Sequence, residues 1–297
     1  MSRTFQPPFL SIVLPCHNEE AVVDSTFARL ETLALEWLSE GLITRCEILF
    51  VNNGSTDGTL EKVSAFVSDN VDISIVDLRR NFGFQGSISA GLAHARGDAV
   101  VTIDADLQDD PTKIRDMVNL YRSGTELVLG VRSDRRTDSF FKRVFSQGFY
   151  RLLDSLGVES VYNHADFRLM SRALVDEFNV LVERNRYIRA LILQLDNQYK
   201  TVEYERAPRE KGETKFTPGR LINLAVDGVT SFTSTPVRFV TMTGLIAALL
   251  SLLGIAWVLT SFAFGLYDVP GWASLATILL GFFGLQTLFL GVIGEYI

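Results

Sequence analysis

Through residues 1–200, short apolar runs alternate with longer stretches whose apolar positions recur at helical spacing, as in residues 19–39. Short β-branched runs closed by Gly, Asn or Asp are typical of buried strands, and their alternation with helices is typical of α/β proteins. The pattern therefore predicts a doubly wound, mostly parallel sheet with flanking helices. We place its strands at residues 10–14, 46–51, 73–77, 99–103 and 127–131.

Polar loops follow the first four of these runs. In an open α/β sheet the carboxyl ends of parallel strands meet at one edge, and ligands bind beyond that edge. We therefore expect the four loops to contribute to a single site. They are residues 15–19, 52–57, 79–86 and 104–108.

The last of these loops carries the candidate chemistry. Asp104, Asp106 and Gln108 present two carboxylates and an amide at alternate positions directly after the fourth apolar run. Such hard oxygen ligands suit Mg²⁺ or Mn²⁺, which bind few protein oxygens when they also bridge a diphosphate. The alternative is an ordinary acidic loop that caps the helix expected near Pro111.

Glycines in the loop of residues 79–86 narrow the class of ligand. Gly83 and Gly86 let the backbone approach a ligand closely, but the chain has neither the G-x-x-x-x-G-K-[ST] sequence of a P-loop nor a G-x-G-x-x-G dinucleotide fingerprint. These absences disfavour an NTPase and a dehydrogenase. Acids, amides and a cation site suit a nucleotide diphosphate held by its base, its ribose and a bridging metal.

Two long runs, residues 239–267 and 269–294, contain no charged residue. Each exceeds the roughly 20 apolar residues that a helix needs to cross a bilayer, so we expect two transmembrane helices, with a buried hairpin of core helices as the alternative. The preceding segment is rich in Lys and Arg, whereas only Asp268 lies between the runs. The positive-inside rule then places the residues before 239 in the cytosol and the short connection outside.

The sequence thus predicts three regions: a cytosolic catalytic domain at 1–217, a juxtamembrane helix or linker at 218–238, and two membrane helices at 239–297. We expect a multi-pass protein of the inner (cytoplasmic) membrane. The apolar run of residues 9–16 is too short for a signal peptide. Cys16 and Cys46 lie in strand-like surroundings, so we expect buried thiols.

Several motifs, taken in order, resemble a known family. The donor half looks like that of the family 2 inverting glycosyltransferases of GT-A type, in Pro15-Cys-His-Asn18-Glu19, Asn53-Gly-Ser-Thr-Asp57-Gly, Arg80-Asn81-Phe-Gly83 and Asp104-Ala-Asp106-Leu-Gln108. Later motifs resemble the polyprenyl-phosphate glycosyltransferases, which include dolichol-phosphate mannosyltransferase and the more similar bactoprenol glucosyltransferases. These motifs are Arg132-Ser-Asp-Arg, Asp166-Phe-Arg168-Leu-Met-Ser-Arg, Arg209-Glu-Lys-Gly212-Glu-Thr214-Lys215 and Thr230-Ser-Phe.

The resemblance implies inverting transfer of a sugar from a nucleotide diphosphate sugar to a membrane polyprenyl phosphate, with glucose and UDP-glucose as the first expectation. Asp104 would face the ribose, while Asp106 and Gln108 would bind the divalent cation, Mg²⁺ or Mn²⁺, which gives Asp106 a catalytic role. Three residues of the first loop would line the pocket for base and ribose: Pro15, Asn18 and Glu19.

Two further expectations about donor binding follow from the resemblance. Asn53 stands where the family usually carries an aspartate, which leaves the identity of the nucleotide open. Arg209 and Lys215 would close over the donor pyrophosphate, because an Arg fork and a Lys point charge both bind phosphate and Gly212 lets the loop fold over it. The alternative is a solvated basic loop.

The acceptor side is predicted from cations and one carboxylate. Arg132 and Arg168 would contact the lipid phosphate, and Asp166 resembles the family's catalytic aspartate, which would take a residual proton or orient the acceptor. A surface Asp–Arg ion pair is the alternative. Residues 132–151 mix basic and aromatic side chains, as an interfacial helix does. The acidic chain and the membrane spans disfavour nucleic acid as a partner.

Three other functions share part of this pattern. A polyprenyl or dolichol-phosphate mannosyltransferase would use GDP-mannose, and a catalytically silent, membrane-anchored binder of sugar nucleotides would keep the fold without turnover. A processive polysaccharide synthase is disfavoured because its Q-x-x-R-W signature is absent. The expected partners are the nucleotide sugar, the polyprenyl phosphate and the lipid bilayer. A homo-oligomer is left open, and movement of the product across the membrane is assigned to a separate flippase.

Overall fold

A seven-stranded sheet organises the amino-terminal part of the chain in the computed structural model. The structure describes residues 5–132, 164–181, 188–205, 235–265 and 271–296. These residues belong to two units, the sheet with its helices and a pair of long helices. The strands are β1 (Phe9–Cys16), β2 (Arg45–Asn53), β3 (Asp72–Leu78), β4 (Ala99–Thr102), β5 (Leu127–Arg132), β6 (His164–Ser171) and β7 (Lys200–Tyr204).

The directions of the strands decide which residues meet. Their order in the sheet is β3-β2-β1-β4-β6-β5-β7. Parallel pairing joins β3, β2, β1 and β4, and also β5 with β7, whereas β6 runs antiparallel to both β4 and β5. The carboxyl ends of the other described strands therefore share one edge of the sheet with the beginning of β6. This edge is named the carboxyl edge.

All five predicted strands are present, but the sheet is more mixed than the apolar runs indicated. Strands β6 and β7 were not predicted from those runs, because both alternate polar and apolar residues instead of forming a continuous apolar stretch. In β6, for example, Phe167 and Leu169 lie in the core and Arg168 stands between them. Alternation with a period of two is itself a strand signal, so a search for it would have found β6.

Helices cover both faces of the sheet. They are α1 (Val23–Ser39), α2 (Thr59–Ser64), α3 (Gly83–His94), α4 (Ile114–Arg122), α5 (Arg172–Val180) and α6 (Ile188–Leu195). Ile12 of β1 packs in one apolar cluster with Trp37 of α1 and Val118 of α4. Val13 points to the opposite face, where a Cβ on Gly91 of α3 would come within 2.3 Å of the Val13 Cγ1. This arrangement confirms the doubly wound fold with flanking helices.

The first helix starts later than the pattern predicted. Helical spacing indicated a start at residue 19, whereas α1 begins at Val23. The reason is local, because Asn18 takes a positive φ of 57° and the amides of residues 18–20 donate to side chains of the loop after β2 and of Thr59, the first residue of α2. Those residues form part of the carboxyl edge instead of the first helical turn.

Near the amino ends of the parallel strands, Glu47 of β2 is the centre of a buried polar network. Its side chain is 0% exposed, and it accepts hydrogen bonds from the Ser11 Oγ at 2.5 Å, the Ser74 Oγ at 2.8 Å and the Arg96 Nε at 2.8 Å. Burial acts to raise the pKa of Glu47, but these hydrogen bonds prevail and hold it below its usual range. The ionised carboxylate therefore links β1, β2, β3 and the segment before β4.

We expect Glu47→Gln to lower the free energy of unfolding at pH 7 by about 2 kcal/mol, since the amide nitrogen of Gln cannot accept the hydrogen bonds that one carboxylate oxygen accepts now. Because the folded-state pKa lies below the ordinary value of 4.5, this stabilisation is complete above that value and is lost as the pH falls through the folded-state pKa. Thermal unfolding of the detergent-solubilised chain between pH 3 and pH 8 measures the effect. Glu40→Gln, which breaks an exposed pair with Arg115, is the control and should change the free energy of unfolding much less, because solvent screens exposed pairs. If Glu47→Gln lost the same free energy of unfolding at every pH, the ionised form of Glu47 would not be the source of the stabilisation.

The second unit consists of α7 (Thr235–Ala263) and α8 (Trp272–Tyr296). By length and composition, the 23 residues Thr241–Ala263 and the 18 residues Ser274–Gly291 are long and apolar enough to cross a bilayer. They overlap the two uncharged runs of the sequence, and α7 also includes residues 235–238 of the segment predicted as a linker. The remainder of that segment, 218–234, lies outside the described residues, so the limits of the three regions stay a prediction.

Small residues let α7 and α8 pack closely against each other. A Cβ on Gly244 would lie 2.5 Å from the carbonyl oxygen of Thr287, and a Cβ on Gly291 would lie 2.9 Å from the Cα of Thr241. The Thr241 Oγ1 donates a hydrogen bond of 2.9 Å to the Gly291 carbonyl oxygen. Close contacts of this kind hold helix pairs together in lipid, where apolar burial alone gives no driving force.

Candidate active site

The acidic loop after β4 lies at the carboxyl edge and is fastened to the first helix. The carbonyl oxygen of Ala105 accepts a buried hydrogen bond of 2.6 Å from the Thr26 Oγ1 of α1. Leu107, two residues later, takes a positive φ of 45°. Asp104 and Asp106 flank this anchored residue and are both partly exposed. The fold therefore brings the two predicted carboxylates to the edge and fixes the backbone between them.

Capping of the following helix falls to Asp110. Its Oδ1 accepts hydrogen bonds from the Thr112 amide at 3.0 Å and from the Thr112 Oγ1 at 2.7 Å. These contacts start the 3₁₀ turn Pro111–Lys113 that leads into α4. The interpretation of the loop as a helix cap therefore applies to Asp110.

Asp104 is surrounded by other carboxylates. Burial raises the pKa of Asp104 to about 7, and the charges of Asp109, Asp166 and Asp106 act in the same direction against the opposing charge of Arg132. Carboxylates gathered in this way repel one another, and a cation or a hydrogen-bond donor of a ligand relieves that repulsion. Perturbed acids at a strand end are typical of functional sites.

Asp166 reaches the same edge from the reversed strand. In the ladder between β4 and β6, Thr102 faces Arg168, and the Thr102 Oγ1 donates to the Asp166 carbonyl oxygen at 2.5 Å. Extending this register by two positions sets Asp104 opposite Asp166. Asp104, the predicted ribose contact, and Asp166, the predicted catalytic carboxylate, are therefore neighbours on two adjacent strands.

Two guanidinium groups hold the Asp166 carboxylate. The Nη2 of Arg168 lies 2.5 Å from Oδ1, and the Nη2 of Arg189, on α6, lies 2.5 Å from Oδ2. Asp166 is 9% exposed, so this is no surface ion pair, and Arg168 is 0% exposed whereas Arg189 is 31% exposed. Arg168, predicted to contact the lipid phosphate, is enclosed in the protein. Arg189, which the sequence interpretation did not name, is the partner that solvent reaches.

Arg132 takes part in a second ion pair at the edge. Its Nη2 lies 3.3 Å from the Oδ1 of Asp109, which is 2% exposed, and its Nε donates to the Tyr204 hydroxyl at 3.3 Å. Burial raises the pKa of Tyr204, and the charge of Asp109 adds to the effect, so the phenol stays protonated. Arg132, which was predicted to contact the lipid phosphate, therefore also holds Asp109 in place directly after Gln108.

The first two loops interlock. The Asn18 Oδ1 accepts a hydrogen bond of 2.8 Å from the Thr56 amide, and the Asn18 amide donates to the Ser55 Oγ at 3.1 Å. Pro15 and Glu19 are half-buried and Asn18 is exposed. All three residues predicted for the base and ribose pocket therefore lie at the carboxyl edge, on a backbone that the second loop supports.

Asn53 is buried and braces the third loop. Its Nδ2 donates to the Asn81 Oδ1 at 3.2 Å and to the Gly83 carbonyl oxygen at 3.1 Å, while its Oδ1 accepts from the Phe82 amide at 2.9 Å. Only a side chain that both donates and accepts can make these contacts, and an ionised aspartate only accepts. The departure from the family aspartate thus has a structural reason, since it positions residues 81–83.

The ligand set for a divalent cation is partial. Within the described ranges, no three His, Cys, Asp or Glu side chains converge on a point that could hold a metal ion. Asp106 and Gln108 fit a cation that takes its remaining ligands from a substrate diphosphate and from water, as Mg²⁺ does. Arg209, Lys215 and the basic stretch after Arg132 lie outside the described residues, so their roles stay predictions.

Comparison with known proteins connects this edge to a family. Residues 11–178, which include every strand end from β1 to the reversed β6, match the model of glycosyl transferase family 2. The chain belongs to glycosyl transferase family 2. It is a glycosyltransferase, and the resemblance predicted from its motifs is confirmed.

Relatives match this glycosyltransferase over nearly all of its length. YkoT, a glycosyltransferase of Bacillus subtilis strain 168, is 39% identical over 293 residues, which are 98% of this chain and 87% of that protein. The bactoprenol glucosyl transferase of Shigella phage SfV is 37% identical over 290 residues, 97% of this chain and 92% of that protein. Mannosyl-3-phosphoglycerate synthase from Rubrobacter xylanophilus has a TM-score of 0.52 at 15% identity, covering 75% of this chain and 72% of that chain. This last likeness supports the GT-A type fold.

The crowding of carboxylates predicts that Asp104 lowers the stability of the metal-free protein. Because the folded-state pKa is raised from the ordinary value of 3.8 to about 7, the destabilisation grows as the pH rises above 3.8 and is complete above about 7. Asp104→Asn should therefore raise the free energy of unfolding at pH 8 by about 1 kcal/mol or more, and by roughly a third as much at pH 5. Thermal unfolding in chelator measures this difference.

Asp110→Ala is the matched control for Asp104→Asn. It removes the cap of the next turn and should lower stability by about 1 kcal/mol at both pH values. A loss of stability in Asp104→Asn at pH 8 would show that this carboxylate is a structural acceptor and not a strained site residue.

Proposed function

We propose that this glycosyltransferase transfers glucose from UDP-glucose to a membrane polyprenyl phosphate, with inversion at the sugar C1. The observation that carries the proposal is the similarity over 97% of the chain to a protein named bactoprenol glucosyl transferase. That span includes both the carboxyl edge and the apolar helices. The edge itself combines carboxylates, which suit a cation on a leaving diphosphate, with guanidinium groups, which suit an anionic acceptor.

On the donor side, Asp104 would face the ribose, and Asp106 and Gln108 would hold Mg²⁺ or Mn²⁺. When bound, the cation would neutralise charge that develops on the leaving nucleotide diphosphate. Asn53 acts indirectly, by setting the position of residues 81–83 beside the base pocket. The remaining donor contacts are assigned to Pro15, Asn18, Glu19, Arg209 and Lys215.

The acceptor needs little chemical activation. A phosphate monoester has a second pKa of ~6, so most of it is a dianion near neutral pH. One phosphate oxygen forms a bond to the sugar C1 while the bond from C1 to the diphosphate oxygen breaks, and the electron pair leaves with the nucleotide diphosphate. The protein has to hold the attacking oxygen behind C1 and to stabilise the leaving group. Arg132, partly exposed at the end of β5, is one cation for the acceptor phosphate.

The donor is tested by incubating the purified chain and undecaprenyl phosphate with radiolabelled UDP-glucose, UDP-galactose or GDP-mannose and counting label in extracted lipid. We expect transfer from UDP-glucose that requires a divalent cation. Asp106→Asn should reduce the rate by more than ~100-fold if the cation stabilises the leaving diphosphate by several kcal/mol. Full activity in excess chelator would refute the metal role, and transfer from GDP-mannose alone would favour the mannosyltransferase alternative.

Asp116→Asn is the matched control for Asp106→Asn. Asp116 lies on the exposed side of α4 and pairs with Lys113 at 3.2 Å. The substitution makes the same chemical change on the helix that follows the acidic loop. We expect it to leave the transfer rate unchanged.

We also propose that α7 and α8 anchor the protein in the inner membrane with residues 1–217 in the cytosol. The support is the length and composition of the two helices and the Lys and Arg residues that precede them. This arrangement sets the carboxyl edge on the side of the membrane where nucleotide sugars are made. A separate flippase would then move the product across the bilayer.

Cysteine labelling from outside the cell tests the orientation. A thiol introduced at Asp268 should react with a membrane-impermeant maleimide, and one introduced at the exposed Glu61 should react only after permeabilisation. Cys16 and Cys46 are buried, and burial raises the pKa of each thiol to about 12, so the native background should be low. Labelling at Glu61 in intact cells would overturn the cytosolic placement.

A further inference from the structure

The two arginines that bind the Asp166 carboxylate point to a role for Arg189 that the proposed function does not include. We propose that Arg189 binds the phosphate of the lipid acceptor and that Asp166 is a positioning residue that orients Arg189. The inference rests on the proposed function, since it concerns the acceptor of that reaction. The sequence predicted this phosphate contact for Arg168, which is enclosed in the protein. We assign the contact to Arg189 of α6 instead.

Both oxygens of the Asp166 carboxylate already accept hydrogen bonds. Oδ1 accepts from the Nη2 of Arg168 at 2.5 Å and from the Nε of Arg189 at 3.1 Å, and Oδ2 accepts from the Nε and Nη2 of Arg189 at 3.2 and 2.5 Å. A general base must offer an oxygen to the proton that it removes, and arginine does not give up its own protons in proteins. A dianionic acceptor in addition carries no proton to remove. The contacts of Asp166 therefore suit orientation better than proton transfer.

The exposures of the two arginines separate their roles. Arg168 is 0% exposed, so a ligand at the carboxyl edge cannot reach it, whereas Arg189 is 31% exposed. Arg189 meets Asp166 through the Nε and Nη2 edge of its planar fork, so the carboxylate sets both the position and the plane of the guanidinium. A ligand at the carboxyl edge thus meets a cation whose direction is already fixed.

The helix that carries Arg189 is fixed as well. The Ile188 amide donates to the Gln85 Oε1 of α3 at 3.1 Å, and Ile188 and Ile192 are fully buried. Gln85 lies at the start of α3, directly after the loop that Asn53 braces. Arg189 is therefore held from two sides, by the carboxylate of β6 and by the donor-side loop, and a phosphate bound to it has a defined place relative to the donor.

Arg132 and Arg189 are close enough to affect each other. Burial and the charge of Arg189 both act to lower the pKa of Arg132, but the charge of Asp109 and the interactions with Tyr204 prevail and raise it. An anion bound near both of these partly exposed guanidinium groups would relieve the repulsion between them. A phosphate dianion matches that demand in charge and in the geometry of its oxygens.

The test compares acceptor kinetics with donor affinity in the full chain. At saturating donor, Arg189→Ala should raise the KM for undecaprenyl phosphate ~10- to 100-fold, as loss of one charge-assisted phosphate contact does. Donor affinity measured by calorimetry should stay unchanged, which also shows that the variant is folded. Arg189→Lys keeps the charge but loses the fork, and its KM should lie between the two. Arg115→Ala is the control, because Arg115 is 34% exposed and pairs with Glu36 of α1 and with Glu40, directly after α1. Its kinetics should match the wild type.

Asp166→Asn separates a positioning residue from a base. If Asp166 orients Arg189, the variant should raise the KM for the acceptor and keep the shape of the pH–rate profile, and adding Arg189→Ala should change the KM little further. A fall in kcat with unchanged KM, together with loss of the acidic limb of the profile, would overturn the proposal. So would an Arg189→Ala enzyme with wild-type acceptor KM, or loss of donor affinity in both Arg189 variants. If the wild-type chain transfers no sugar to polyprenyl phosphate from any nucleotide sugar of the panel, the proposed function fails and this inference fails with it.

Discussion

The reversed direction of β6 is the constraint on which the site depends. Because β6 lies antiparallel between β4 and β5, its first residues face the last residues of β4, and the hydrogen bond from Thr102 to the Asp166 carbonyl oxygen fastens the two ends together. A parallel strand in the same place would carry Asp166 to the opposite edge of the sheet. The reversal thus adds a carboxylate from late in the chain to acids that already follow β4.

Placing that carboxylate among others is unfavourable unless cations accompany it. Each buried ion costs several kcal/mol to remove from water, and a buried ion pair recovers this only with good geometry and further hydrogen bonds. The edge meets the condition twice, with Arg168 and Arg189 on Asp166 and with Arg132 on Asp109. Such pairs add little net stability, so their value lies in fixing the positions of charged groups before a substrate arrives. The acidic loop, β6 and α6 are therefore linked by charge as well as by the backbone.

The pattern of apolar runs was sufficient for the fold class and for the four loops, because buried parallel strands are continuous apolar stretches and their carboxyl ends must meet. It placed Asp104, Asp106 and Gln108 at the correct edge for the same reason. It did not find β6, whose alternating residues include the enclosed Arg168. Arg189 was missed because nothing local marks it except a charge within the apolar sequence of α6. The roles of Asp109 and Tyr204 come from contacts between distant segments, which no short motif encodes.

The amide of Asn53 couples two positions that are far apart in the sequence. An aspartate at position 53 would direct a lone pair at the Asn81 Oδ1 and at the Gly83 carbonyl oxygen, which both accept from the amide now. Residue 81 would then have to turn its own amide nitrogen toward position 53. That turn would remove the acceptor from the Gly83 amide, which at present donates to the Asn81 Oδ1 at 2.7 Å. Exchange of the Asn53 amide for a carboxylate would therefore cost this loop either the two contacts from Nδ2 or the acceptor of the Gly83 amide, so a single side-chain nitrogen sets the conformation of residues 81–83.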